Sequence, residues 1–89
     1  MHLVYILVSI PTGRWYIGMT HNIDARLKEH NSGNVRSTKG YRPYKVVHIE
    51  TYNTVTEARK REIQIKKSGI IRKELKAKIA QNTAPSSNG

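Results

Sequence analysis

The sequence contains no cysteine. No disulfide can brace the fold and no thiolate can hold a metal, a composition that fits a reducing compartment. Carboxylates are scarce as well: six Asp and Glu stand against sixteen Lys and Arg, giving a formal net charge of +10. Such an imbalance says little about fold and much about partners. Nucleic acid is the expected polyanion, because phosphate contacts supply most sequence-independent affinity. A solvated basic surface, or an accessory protein of the ribosome, would share this composition. Long hydrophobic runs are also missing. The longest, Leu3 to Val8, is far too short to span a bilayer. No basic stretch precedes it and no small-residue cleavage site follows, so no secretory leader and no membrane partner are expected, and a cytoplasmic location is the default.

With 89 residues, 37% of them hydrophobic, the chain is expected to form one small domain with a thin core. That domain is assigned to residues 1–82, and 83–89 (TAPSSNG) to a disordered tail. Leu3 to Val8 reads as a strand buried on both faces. Ile10-Pro11-Thr12-Gly13 is a turn, and Arg14 to Thr20 an antiparallel partner strand. Gly18 within it marks a bulge or a close backbone approach. Asn22 is the expected cap of a helix running to about Asn31, stopped by Ser32-Gly33-Asn34. A long polar loop over 32–44 carries Arg36, Lys39, Tyr41, Arg42 and Tyr44. Lys45 to Tyr52 is the third strand. Thr54 or Thr56 caps a second helix ending near Lys67, Ser68-Gly69 breaks it, and a third basic helix covers about Ile71 to Ala80. The order is β-β-α-β-α-α. The expected class is α/β, a three-stranded antiparallel sheet with packed helices.

Several polar residues stand where apolar ones are expected. In the first helix Ile23, Leu27 and His30 follow one stripe, with Arg26 on the same side. In the second helix Glu62 interrupts the stripe of Val55, Ala58 and Ile65. Ionisable groups on buried stripes need a partner or a task. Each has a plain structural reading. Tyr5 can be a core phenol, His30 can complement the helix dipole, and Arg26 can pair with Asp24 or another carboxylate. Glu62 can pair with Lys66 at i+4. Tyr16 shares a strand face with Gly18, which is expected to leave an open shelf beside it.

Tyr5, the segment Tyr16-Ile17-Gly18, Arg26 followed by His30, and Glu62 in a later helix come in an order that resembles the GIY-YIG nuclease superfamily, in its small stand-alone branch. The likeness covers about residues 2–80. Leu3-Val4-Tyr5 stands for the first motif, with leucine in place of its glycine, and Met19 follows the second where some members have lysine. The late asparagine of members fused to other domains has no counterpart here.

The resemblance implies a metal-dependent endonuclease that hydrolyses phosphodiester bonds, with DNA as the expected substrate and little sequence specificity. It implies that Tyr5 acts as general base toward water or orients it, with its pKa lowered by the neighbouring cations or its proton relayed to His30. Arg26 and Tyr16 would hold the phosphate, and Glu62 would bind one Mg²⁺ or Mn²⁺ ion. Gly18 would keep the shelf open, Arg36, Lys39 and Arg42 would follow the flanking backbone, and Tyr41 or Tyr44 would stack on a base. The competing reading is a non-catalytic nucleic-acid-binding module on the same fold.

Overall fold

The first strand, β1 (His2–Ser9), is apolar on both sides and becomes the centre of the sheet. In the computed structural model, which describes residues 1–83, Val4, Tyr5, Ile6 and Leu7 have no exposed surface. β2 (Trp15–Thr20) and β3 (Tyr44–Tyr52) pair with β1 on either side, both antiparallel, in the order β2-β1-β3. The register sets Tyr5 opposite Gly18 on β2 and Ile49 on β3. The β1–β3 register shifts between Ile6 and Leu7, a bulge that leaves Val47 without a β1 partner; Val46 and Val47 pack on opposite faces.

Alternation in β1 creates two cores. Tyr5 and Leu7 point to one face, with Tyr16, Tyr44 and Val46, under Ile23 and Leu27 of α1 (Ile23–Ser32). Val4 and Ile6 point to the other, with Trp15, Ile17 and Met19. There they meet Ala58 and Ile65 of α2 (Val55–Lys67) and Ile71 and Leu75 of α3 (Gly69–Thr83). The result is the expected order β-β-α-β-α-α as a three-layer α/β fold. Among the described residues no helix is long and apolar enough to cross a membrane.

Helix ends follow local chemistry. The Asn22 side chain accepts from the Ala25 N–H, and Gly33 closes α1 in the left-handed region at φ 87°. Thr54, rather than Thr56, caps α2 in a reciprocal capping box with Glu57. The break before α3 is only Ser68, whose Oγ accepts from the Ile71 N–H, so α3 starts at Gly69. It extends to Thr83, past the expected end, and near its start Arg72 binds the open end of α2 through the Ile65 carbonyl at 2.9 Å, tying the two helices together. The rest of the expected tail, 84–89, lies outside the described residues. The segment after α1 is more ordered than a polar loop: it forms a 3₁₀ turn over Lys39–Tyr41 and buries Thr38.

α2 is locked to the sheet by Glu50. Arg61 donates to it twice, through Nε at 2.8 Å and Nη2 at 3.1 Å. His48 Nε2 donates at 2.8 Å and the Tyr52 hydroxyl at 2.7 Å. Burial alone pushes this carboxyl up, but the three donors outweigh it and bring it from 4.5 to about 2. A depressed carboxyl stabilises the fold above its unfolded pKa and loses that contribution as pH falls through the folded one. The contribution is on the order of 3 kcal/mol, present above about pH 5 and lost toward pH 2. Urea titrations of wild type and Glu50→Gln should therefore show a gap that closes between those limits. A gap that stays constant with pH would show that Glu50 does not carry the acid sensitivity.

Candidate active site

The tyrosine face holds one continuous hydrogen-bonded chain. Tyr5 comes from the central strand, and Arg26 and His30, one turn apart on α1, reach its hydroxyl. His30 Nε2 lies 3.1 Å from Tyr5 Oη, and Arg26 Nε donates to the same oxygen at 3.3 Å. His30 Nδ1 lies 2.8 Å from Thr38 Oγ1, and that hydroxyl donates to the Val35 carbonyl at 3.3 Å. One set of proton positions satisfies every atom. Thr38 spends its proton on Val35, so it accepts from His30 Nδ1–H; Nε2 is then bare and accepts the phenol proton. Thr38 thus fixes the tautomer in which His30 takes a proton from Tyr5.

The electrostatics favour neutral partners. Burial pushes the His30 pKa down, and the Arg26 charge pushes the same way. Burial pushes Tyr5 up, while the Arg26 hydrogen bond and charge oppose it. Arg26 stays charged, held first by the phenol and further by Glu29 at 3.1 Å. Its carboxylate partner is therefore Glu29, not Asp24. Tyr16 packs its ring 4.7 Å from His30 and 6.3 Å from Tyr5. Among the described residues its hydroxyl has no hydrogen-bond partner, so it can take a phosphate oxygen.

Gly18 does not provide the expected open shelf. It faces Tyr5 across the strand pair, and a Cβ there would lie 2.6 Å from Tyr5 Oη. The space is the seat of the phenol, so Gly18 shapes the site by giving the Tyr5 ring room.

Glu62 is not joined to this chain. Its helix packs on the opposite face of the sheet, because Ala58 and Ile65 bury against Val4, Ile6 and Ile17. Its side chain is 15% exposed and accepts from Lys66 at 3.0 Å. Tyr5 feels it only through charge, as the last of the influences on the phenol after burial, Arg26 and Tyr16. Arg26, His30 and Glu62 each lie on a core-facing stripe, but the sheet has two cores.

The basic segment is exposed as expected at Arg36, Lys39 and Arg42, the last with its guanidinium over Gly33. Its tyrosines are not free. Tyr44 is buried with Tyr5 and Leu7, and Tyr41 receives Arg14 at its hydroxyl, 3.0 Å, and over its ring. Tyr44, 4% exposed, is not placed to stack on a base. Two positioning residues escaped the sequence reading. Thr38 carries no periodic signal inside a loop. Asn31, legible only as a helix terminus, bonds the Tyr44 backbone twice, at 2.7 and 3.1 Å, and ties α1 to β3.

Among the described residues no three His, Asp or Glu side chains gather as a metal cage. Glu62 offers a largely covered carboxylate whose sole hydrogen bond is to a lysine. That donor fits a hard cation that keeps waters and takes substrate oxygens, as Mg²⁺ does.

If the glycine seat holds the phenol, Gly18→Ala should drive Tyr5 off His30 and destabilise the fold by about 1–3 kcal/mol, as overpacking does. Thermal unfolding should shift down by at least about 4 °C for a domain of this size. An unchanged midpoint would refute the tight seat.

The comparisons give the family. The GIY-YIG catalytic domain family matches residues 1–69. A UPF0213 protein of Syntrophus aciditrophicus is 47% identical over 66 residues, covering 72% of this chain and 75% of that protein. One from Halobacterium salinarum is 35% identical over 75 residues, covering 83% and 96%. The solution NMR structure of a UPF0213 protein from Bacillus halodurans superposes with a TM-score of 0.55 at 30% identity, covering 98% of each chain. The fold is of the nuclease type, and the chain belongs to the GIY-YIG family.

Proposed function

We propose that this protein is an endonuclease that hydrolyses phosphodiester bonds, acting on DNA in the cytoplasm with little sequence specificity and a single Mg²⁺ or Mn²⁺ ion. The observation that carries the proposal is the chain Arg26–Tyr5–His30–Thr38, which gives a phenol a buried acceptor for its proton. Cleavage needs an activated water, a neutralised phosphate and a stabilised leaving oxygen. His30 Nε2 takes the phenol proton, and the Tyr5 oxygen takes one from water. Arg26 steadies the transient phenolate through Nε. Its Nη2, without a partner among the described residues, turns to a phosphate oxygen, a task suited to its planar fork. Tyr16 donates to a second phosphate oxygen. Glu62 would hold the metal ion, which supplies Lewis-acid stabilisation of charge on the phosphate and leaving oxygens. Arg36, Lys39 and Arg42 follow the backbone beyond the site.

Two observations favour the alternative of a binding module without cleavage. Tyr5 has no exposed surface, and Glu62 is paired with Lys66. Cleavage therefore requires Arg26 to swing toward the phosphate and admit water, and Lys66 to release Glu62.

Glu62→Gln distinguishes the two. The variant keeps its size and loses its charge. Nicking of plasmid DNA with Mg²⁺ or Mn²⁺ should fall at least about a hundredfold, while oligonucleotide affinity, spread over many cations, changes little. If the wild type cuts neither plasmid DNA nor a structured RNA, or if the variant keeps the wild-type rate, the catalytic reading is wrong.

The pH profile adds a second check. His30 works only when neutral, and its folded pKa lies below 6.5. The rate should hold as pH drops through 6.5 and decline only below it. A rate already halved above pH 6.5 would exclude a buried neutral His30 as acceptor.

A further inference from the structure

On the face away from Tyr5, β2 and the two last helices enclose a cleft of about 310 Å³, lined by Trp15, Ile17, Lys66, Arg72 and Lys76. Its chemistry is one-sided. Three cations and one aromatic ring line it. The Lys76 ammonium lies over Trp15, 5.3 Å from the ring centroid. The hydrogen bonds of Arg72 go to the Ile65 and Lys66 carbonyls, not to a carboxylate. Among the described residues neither Arg72 nor Lys76 forms an ion pair, and Lys66 has Glu62 alone. Arg72 and Lys76 thus stand without a counter-ion, and an anion entering between them would supply one.

We propose that this cleft is a subsite for single-stranded nucleic acid, in which one base stacks on Trp15 while Lys66, Arg72 and Lys76 neutralise the flanking phosphates. The volume is at the lower end for ligand sites, enough for one nucleotide unit and too little for a large cofactor. Stacking on a side chain requires an unpaired base, which selects single strands over duplex. On binding, the Lys76 ammonium leaves the ring for a phosphate and the base takes its place. The cleft adjoins the proposed metal carboxylate, because Lys66 belongs to both. A phosphate that draws Lys66 into the cleft releases Glu62. The inference rests on the nucleic-acid reading above, not on cleavage.

Trp15 is the only tryptophan in the chain, so its fluorescence reports on this cleft directly. The test is a titration with a thymidine oligonucleotide of about ten residues, within the usual site-size range. Chelator is present throughout to prevent cleavage. Trp15 emission is followed together with the anisotropy of an end-labelled copy. The expected result is quenching that saturates with the anisotropy and is reversed by salt. Lys76→Ala, on an exposed helical position, should weaken binding several-fold and lower the slope of log affinity against log salt by about 0.7. Anisotropy that saturates with no change in Trp15 emission overturns the subsite. So does equal quenching by a duplex, or by a mononucleotide at the same concentration. Quenching in chelator with no cutting of plasmid DNA, structured RNA or the oligonucleotide in Mg²⁺ would remove the nuclease reading alone; cutting without quenching would remove the subsite alone.

Discussion

A phenol buried in the middle of a sheet governs the rest of this structure. Tyr5 sits on the central strand with no solvent contact. A buried hydroxyl without a partner costs about 1–3 kcal/mol. Three features remove that cost. Gly18, lacking a side chain, leaves the ring room; Arg26 gives the oxygen a donor; His30 gives it an acceptor. The need then passes outward. His30 is buried too, and Thr38 satisfies its second nitrogen, which obliges the segment after α1 to fold back over the helix end. Asn31 secures the same turn by holding the start of β3. What looks like loop in the sequence is the outer wall of the tyrosine site.

The second constraint is that the sheet is covered on both sides. α1 supplies Arg26 and His30 from one face, while α2 supplies Glu62 from the other. The placement of α2 depends on Glu50, a carboxylate held ionised by Arg61, His48 and Tyr52. Arg61 is the residue before Glu62, so the anchor that fixes the helix also fixes the direction of the carboxylate. Breaking a partly buried pair of this kind leaves an uncompensated charge, which makes the anchor stiff. Tyr5 and Glu62 therefore come from opposite layers, and the Glu62 charge is still felt at the phenol.

Charge is distributed to match. Arg36, Lys39 and Arg42 stand exposed on the segment after α1, and Lys66, Arg72 and Lys76 line the cleft between β2 and the last helices. A net charge of +10 on so small a body would give a diffuse attraction for any polyanion. Placing cations in two separate groups, with the Tyr5 site and Glu62 as neighbours, gives that attraction a direction.

The order of elements was legible because it rests on local rules. Leu3 to Val8 is apolar at every position and had to be a central strand, and Asn22, Gly33 and Thr54 are residues whose side chains or backbone freedom end helices. Tyr5, Arg26 and His30 were legible as polar residues on core-facing stripes. Which core each stripe faced was not. Alternation along β1 decides that, and it sends Glu62 to the opposite layer from His30. Which group closes on Gly18 was not legible either, because only the strand register brings the Tyr5 ring over it. Thr38 and the Arg72 cap carry no sequence signal, since each is defined by a partner distant in the chain. Periodicity records which side of an element is buried; pairing and packing alone record what it is buried against.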